Sequence, residues 1–297
     1  MTLSIIQLMV FQWILPAVFI ISLWRGTFQS KIDWGVQAMF TVLFTTWLFL
    51  SSQWDWFSYY IRFIWLIFLL LAIYKSWKRV RTLPFYIKFN RSLGWSLGIH
   101  GFLLLIFGMY NVLIFSGYTT KDDAIELDFP LENGTYYVGQ GGNNVQINYH
   151  NAYPNQRYAL DIVKLNQFGI RAAGIYPKEL DKYVIFGDEL YSPCTGKVLE
   201  ARDNLSDLTP PDTDIENVEG NYVKINCKAA DVYIAHMQEG SVKVKEGQSV
   251  QKGQQIGLVG NSGNTSEPHL HIHAENNGEG VPIRFNGRFL VKNSLVW

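Results

Sequence analysis

The sequence has 297 residues, of which 25 are basic and 25 acidic, so its formal net charge at neutral pH is zero. This balance hides two unlike parts, because the first 117 residues carry nine Lys/Arg and two Asp/Glu and the remainder carries 16 and 23. The acidic second part argues against a nucleic-acid partner, which requires a basic surface to replace counterions. Two cysteines are too few for a zinc cluster built from CxxC pairs.

Four apolar runs of about 20 residues in the first part are long enough to cross a bilayer. They cover roughly residues 3–24, 34–52, 57–74 and 96–115, and tryptophans mark their ends as in an interfacial aromatic belt. We therefore predict an α-helical membrane region of four transmembrane helices over residues 1–117. The first run has no basic residue before Arg25, so it lacks the charged start of a cleaved signal peptide and should be retained.

The loops between these runs set the predicted orientation. Residues 75–91 carry six basic residues and no acidic one, and Arg25 and Lys31 lie between the first two runs. Short loops rich in Lys and Arg stay in the cytoplasm. Four spans then place all residues after 117 outside the cytoplasm, as the extracytoplasmic domain of a multi-pass protein of the cell membrane.

After the membrane region we predict a linker and first strand over residues 118–139, followed by a soluble domain over residues 140–297. In this domain short β-prone runs alternate with turn signals, which is typical of an all-β antiparallel sandwich or barrel. The runs are RYALDIVKL, ELYSPCTGKVLEA, GNYVKINCK, DVYIAHM, GSVKV, QQIGLVG and PHLHIHAE. The acidic segment 203–219 fits no EF-hand spacing and is predicted to be a solvated rim loop.

The two cysteines, Cys194 and Cys227, lie on or beside two of the predicted strands. If these strands pair antiparallel with the cysteines opposite each other, Val198 faces Val223 and a cross-strand disulfide is geometrically possible. An extracytoplasmic location permits such a bond. Two free, buried thiols are the alternative, and the sequence leaves both open.

Histidines concentrate in the second part of the sequence, in a pattern that points to metal chemistry. Five of the six lie there: His150, His236, His269, His271 and His273. The last three alternate in one predicted strand, so their imidazoles share a face. A catalytic zinc takes three N/O ligands and an open position for water, and neighbouring imidazoles can move protons or stabilise an oxyanion. With Asp161, 11 residues after the first histidine, this set suffices for metal-assisted amide hydrolysis.

The segment AHMQEGSVKVKEGQSVQKGQQIGLVGNSGNTSEPHLHIH resembles the C-terminal half of the lysostaphin/LytM-type zinc metallopeptidases, which cut peptide cross-links in bacterial peptidoglycan. The resemblance covers about residues 140–280. It implies an antiparallel β core, a zinc cofactor and peptidoglycan as the partner. It also implies that Asp161 and His271 are zinc ligands and that His236 and His269 are catalytic.

The sequence departs from the family's first motif, His-x-x-x-Asp, because Arg157 stands four residues before Asp161. A guanidinium is permanently charged and has no lone pair for a metal. His150 can take that place from seven residues upstream, since the intervening NAYPNQ contains a proline and two asparagines that permit a turn. We therefore predict the ligand set His150, Asp161 and His271, with His273 as a supporting residue beside it.

Two functions follow from these residues. The first is a membrane-anchored zinc metalloendopeptidase that hydrolyses peptide bonds of the cell-wall peptidoglycan. The alternative applies if the first ligand is missing: a catalytically degenerate domain that binds the wall or regulates other wall hydrolases.

Overall fold

The computed structural model describes residues 2–297, which form two units. The helical unit contains the described residues up to Trp54 together with Tyr60–Phe115. The β unit contains Asp55–Tyr59 together with Ser116–Trp297. A short loop from within the helical part of the sequence therefore belongs to the β unit.

Five α-helices lie in the described part of the helical unit, and a π-helical turn, Val10–Ile14, joins the first two. They are α1 (Thr2–Met9), α2 (Leu15–Arg25), α3 (Lys31–Ser51), α4 (Ile61–Val80) and α5 (Arg91–Ser116). Three helical stretches are long and apolar enough to cross a membrane: Ile5–Arg25, Lys31–Ser51 and Arg91–Ser116. These correspond to the first, second and fourth predicted spans.

Helix α4 differs from the third predicted span. It begins at Ile61, so the predicted start at residue 57 is wrong, because residues 57–59 belong to the β unit instead. Basic residues also lie at both ends of the helix, and every stretch of 18 residues in it contains at least three of them. Among the described residues, three helical stretches are thus long and apolar enough to cross a membrane. The third predicted span, which corresponds to α4, is not confirmed.

The β unit contains 14 strands among its described residues. They are β1 (Ile125–Leu127), β2 (Thr135–Gln140), β3 (Leu160–Leu165), β4 (Glu189–Tyr191), β5 (Gly196–Arg202), β6 (Asn221–Asn226), β7 (Asp231–Met237), β8 (Ser249–Val250), β9 (Gln255–Leu258), β10 (Leu270–Asn276), β11 (Glu279–Val281), β12 (Ile283–Phe285), β13 (Arg288–Phe289) and β14 (Leu295–Val296). The main sheet has the order β14-β2-β3-β10-β7-β6-β5-β8, with β11 paired to β10. The prediction of a β-rich soluble domain is confirmed.

Strand β10 lies inside the main sheet, and both of its faces are covered. Its first five residues, Leu270–Ala274, are all buried, whereas Val223 and Ile225 of β6 alternate with half-buried residues. A strand covered on both faces reads as a continuous buried run, and a strand with one wet face alternates. The predicted strand GSVKV does not form: residues 240–244 join no ladder, and β8 follows them instead. Lys243 there makes a single backbone hydrogen bond to Ile256, of 2.9 Å.

Cys194 and Cys227 form a disulfide, with their Cα atoms 5.9 Å apart. The register that opposed cysteines would require does not occur, because Val198 pairs with Ile225 and not with Val223. Both cysteines lie just outside the β5–β6 ladder. The disulfide therefore joins the ends of the two strands and not two opposed residues within the ladder.

A buried ion pair ties the loop Asp55–Tyr59 into the β unit. Asp55 is 4% exposed and Arg171 is 1% exposed. Oδ2 of Asp55 lies 3.5 Å from Nε of Arg171. Burial raises the pKa of Asp55 to about 6, although Arg171 lowers it. Removing this carboxylate from water thus costs more than its attraction to the guanidinium returns.

Asp55 should make the free energy of unfolding fall as the pH rises from about 4 to about 6. Its folded pKa of about 6 lies above the ordinary value of 3.8, so the folded state binds the extra proton in this window. The shift corresponds to about 3 kcal/mol. We expect the stability of the wild type relative to Asp55→Asn to decrease by up to that amount across the window, measured by denaturant unfolding of the solubilised full chain.

The matched control is Glu179→Gln, which removes a carboxylate from an exposed ion pair with Lys182. This variant should keep the wild-type trend between pH 4 and 6. A stability difference between wild type and Asp55→Asn that grows with pH would contradict the raised pKa.

Candidate metal centre

Three neighbouring strands of the main sheet carry the centre of the candidate site. β10 lies between β3 and β7, and its His271 pairs with Asp161 on one side and with Ala235 on the other. Directly opposed residues point to the same face with Cβ atoms about 5 Å apart. Nδ1 of His271 accordingly lies 2.9 Å from Oδ1 of Asp161.

His150 reaches the same carboxylate from a loop. Two 3-10 turns, Tyr149–Ala152 and Pro154–Gln156, fold the chain back between His150 and β3. Asn148 holds the first turn, since its Oδ1 accepts the amide of His150 at 3.2 Å. Nε2 of His150 lies 3.0 Å from both carboxylate oxygens of Asp161. The structure therefore contains the turn that the sequence predicts between the two residues.

Arg157 lies in the same loop but is directed elsewhere. Its guanidinium carbon is 5.2 Å from the centre of the Tyr158 ring. Its carbonyl accepts a hydrogen bond from Nδ2 of Asn148 at 3.3 Å. Its backbone thus helps to close the loop that carries His150.

The donor atoms of His150, Asp161 and His271 lie within 4.8 Å of one another. Burial alone would raise the pKa of Asp161, but His150 and His269 hold it well below its usual range. Burial lowers the pKa of His271 to about 4. The carboxylate is thus ionised and this imidazole neutral at neutral pH, the forms that bind a metal. Two imidazoles and one carboxylate fit a catalytic zinc.

His273 orients the candidate ligand His271. Nε2 of His271 lies 3.0 Å from Nδ1 of His273. The ring of His273 is stacked on Tyr233, with centres 4.5 Å apart and planes 10° apart. With Nδ1 of His271 as the ligand atom, its Nε2 would carry the proton and donate a hydrogen bond to Nδ1 of His273. The supporting role of His273 stays a prediction, and the structure places this residue in contact with the candidate ligand.

Two further imidazoles, His236 and His269, adjoin this cluster, with ring centres 4.9 Å apart. Nε2 of His269 lies 3.5 Å from Oδ1 of Asp161. Burial lowers the pKa of His236 well below its usual value. Burial would also lower the pKa of His269, but Asp161 outweighs it and raises that pKa. The two pKa values are therefore shifted in opposite directions, that of His236 toward the neutral imidazole and that of His269 toward the protonated one, which is the pattern of an acid–base pair.

The backbone around His236 is strained. Its φ is +59°, in the left-handed region that few residues other than glycine adopt. Its amide donates to the carbonyl of Glu219 and its carbonyl accepts from the amide of Gly260, both at 3.0 Å. Nδ1 lies 2.9 Å from the carbonyl oxygen of Ser262, so Nδ1 carries the proton and Nε2 keeps its lone pair. Strain of this kind concentrates at functional sites.

His150, His236 and His271 line a single cleft of about 420 Å³. Glu216 and Glu219, from the acidic segment 203–219, also line it, so the predicted rim loop borders the site. Neither glutamate is predicted from the sequence as a site residue. A loop rich in carboxylates gives no signal for which of them face inward.

Comparison with known proteins supports the resemblance found in the sequence. Residues 180–283 match the model of Peptidase family M23, which confirms the resemblance to lysostaphin/LytM-type peptidases for this segment. His236, His269 and His271 lie inside the matched segment, and His150 and Asp161 lie upstream of it. Among curated proteins, none matches the chain.

Three solved structures are similar to the chain. A Pseudomonas aeruginosa protein assigned to peptidase M23 is 20% identical, with a TM-score of 0.32, over 56% of this chain and 51% of its own. A zinc-containing peptidase from Vibrio cholerae is 21% identical, with a TM-score of 0.33, over 54% of this chain and 39% of its own. The catalytic domain of lysostaphin from Staphylococcus simulans is 22% identical, with a TM-score of 0.23, over 35% of this chain and 80% of its own. The chain thus spans about half or less of the first two proteins.

The cluster predicts binding of about one zinc ion per chain to the solubilised full-length protein. His150→Ala should abolish this binding, because a carboxylate and one imidazole leave too few ligands. Metal content after gel filtration, measured by atomic emission, checks the prediction.

His100→Ala is the matched control, because this histidine lies on α5 in the helical unit. It should retain the metal content of the wild type. A folded wild-type protein that holds no zinc when zinc is supplied would remove the site.

Proposed function

We propose that the protein is a membrane-anchored zinc endopeptidase that hydrolyses peptide bonds in bacterial cell-wall peptidoglycan. The convergence of His150, Asp161 and His271, beside a cleft that two of them line together with His236, carries this proposal. The match of residues 180–283 to a peptidase family supports the reaction class. The resemblance to lysostaphin/LytM-type enzymes supports peptidoglycan cross-links as the substrate.

His150, Asp161 and His271 would hold the zinc, which supplies Lewis acidity and lowers the pKa of water toward 7 when it is bound. His236, neutral and with a lone pair on Nε2, accepts a proton from the water that attacks the scissile carbonyl carbon. His269 donates a hydrogen bond to the oxygen on which negative charge develops. His236 then returns its proton to the leaving amine, and the peptide bond breaks.

His150 decides between this reading and a degenerate wall-binding domain. Arg157 occupies the first position of the family's motif and cannot bind a metal. Without His150, the site would therefore have only one carboxylate and one imidazole as ligands. With Nε2 of His150 3.0 Å from the carboxylate of Asp161, three donors are present. This position favours the enzyme.

Substitution of either His236 or His269 by alanine should abolish peptidase activity while zinc remains bound. Each residue contributes proton transfer or charge stabilisation, effects that amount to about 10²–10⁴ in rate. The assay is the release of new amino termini from purified peptidoglycan by the full-length protein, with zinc content measured on the same samples.

A chelator should stop the release, and added zinc should restore it. Glu179→Gln, at an exposed residue, serves as the variant of unchanged rate. Unaltered release by His236→Ala would remove that residue from the reaction, and absence of release by zinc-loaded wild type would favour the degenerate domain.

We also propose that α4 crosses the membrane as a fourth span. Its basic residues lie at its ends, and its middle turns expose apolar side chains such as Ile67 (58%) and Leu70 (66%). The loop Asp55–Tyr59 supports this topology, because it belongs to the β unit and precedes α4. If α4 did not cross, this loop and the residues after Ser116 would lie on opposite sides of the bilayer.

The topology predicts that the β unit lies outside the cytoplasm and the basic loop 81–90 inside. Glu279→Cys, at an exposed position of β11, should react with a membrane-impermeant maleimide on intact cells. Thr82→Cys, also exposed, should react only after permeabilisation. The native cysteines are joined in a disulfide and provide the unlabelled background. The reverse labelling pattern would overturn the orientation.

A further inference from the structure

The loop Asp55–Tyr59 makes a specific contact with the segment 168–171 of the β unit. The amide of Tyr59 donates to the carbonyl of Gly169 at 2.9 Å, and the amide of Arg171 donates to the carbonyl of Asp55 at 3.1 Å. The ring of Tyr59 also lies 6.0 Å from that of Tyr137. Backbone bonds at both ends of the loop fix its position in the unit.

Arg171 is the centre of a buried charge cluster that this loop completes. The Trp56 ring covers its guanidinium, with the ring centre 3.9 Å from the guanidinium carbon. Glu267 is a second partner of the guanidinium: Nε of Arg171 donates to both of its carboxylate oxygens at 2.9 Å. A guanidinium that is 1% exposed requires such partners, since an unpaired buried charge is strongly unfavourable. Asp55, Trp56 and Glu267 together fix its position.

Glu267 stands two residues before His269 and holds it directly. Nδ1 of His269 donates to the carbonyl oxygen of Glu267 at 2.9 Å. Thr265 reinforces the same carbonyl, to which its hydroxyl donates at 2.8 Å. With Nδ1 occupied, Nε2 of His269 faces Asp161. The side chain of Glu267 thus anchors the loop and its carbonyl orients the imidazole.

Trp56 reaches the same segment by a second route. Its ring is stacked on Tyr176, with centres 5.3 Å apart and planes 10° apart. The hydroxyl of Tyr176 donates to the carbonyl of Ser266 at 2.8 Å. Two independent contacts therefore run from the loop Asp55–Tyr59 to the residues just before His269.

We propose that Asp55 and Trp56 are positioning residues for His269, acting through Arg171 and Glu267. This inference rests on the proposed function, in which His269 stabilises the developing charge.

The test is Asp55→Asn in the solubilised full-length protein, because asparagine keeps the size of the side chain and removes its charge. We expect kcat on cross-linked peptidoglycan peptides to fall about tenfold, since misplaced catalytic groups lose rate. KM and zinc content should stay at the wild-type values. Asp55→Glu should recover most of the lost kcat. Trp56→Leu should lower kcat in the same way. If Asp55→Asn does not fold, Trp56→Leu takes its place in the test.

A second measurement does not depend on activity. In protein labelled with 15N-histidine, the ring nitrogen signals of His269, assigned by their loss in His269→Gln, should shift in Asp55→Asn and stay in place in Glu179→Gln. If the wild type is inactive and its His269 ring signals still shift in Asp55→Asn, the proposed function is rejected and the positioning role is kept. An active wild type whose kcat and ring signals are unchanged by Asp55→Asn and Trp56→Leu would reject the positioning role alone.

Discussion

The candidate site depends on one carboxylate, that of Asp161. It lies within 3.0 Å of His150 and His271 and 3.5 Å from His269, so three imidazoles meet at it, one from the loop before β3 and two from the segment that leads into β10. Strand pairing supplies the nearest of these contacts, because His271 is directly opposite Asp161 in the main sheet. The sheet thus builds the fixed half of the site, and the loops before β3 and β10 bring the rest to it.

The fixed half could be read from the sequence. Alternation places His271 and His273 on one face of β10, as predicted, whereas His269 lies just before the strand begins at Leu270. The β-rich character of the second part followed from short runs and turns. Register was beyond such reasoning, as Val198 shows, because the two cysteines lie outside the β5–β6 ladder and their disulfide does not fix which residues pair within it. The strand GSVKV failed for a related reason, since β propensity alone does not provide a partner.

The loops were harder to predict, and for different reasons. The return of His150 to Asp161 could be foreseen because proline and asparagine mark the turn. The role of the loop Asp55–Tyr59 could not, since WDWFSYY reads as the aromatic margin of a membrane span. Tertiary contacts override that reading, because the backbone of Asp55 and Tyr59 bonds to residues more than 100 positions away. A contact of such sequence distance leaves no local signal.

The buried charge cluster around Arg171 is better explained by the side-chain orientations that it fixes than by a contribution to the free energy of unfolding. Burial raises the pKa of Asp55 to about 6 in spite of the guanidinium beside it, so the ionised pair costs the fold more than a neutral side chain would. Apolar residues of similar volume would fill the same space without that cost. In place of Asp55 an apolar residue would not pair with Arg171, and in place of Arg171 it would leave Glu267 without the partner that holds its side chain. The carbonyl of Glu267 is the hydrogen-bond acceptor of His269, so the cluster's cost to stability gives one imidazole a defined orientation at the centre of the site.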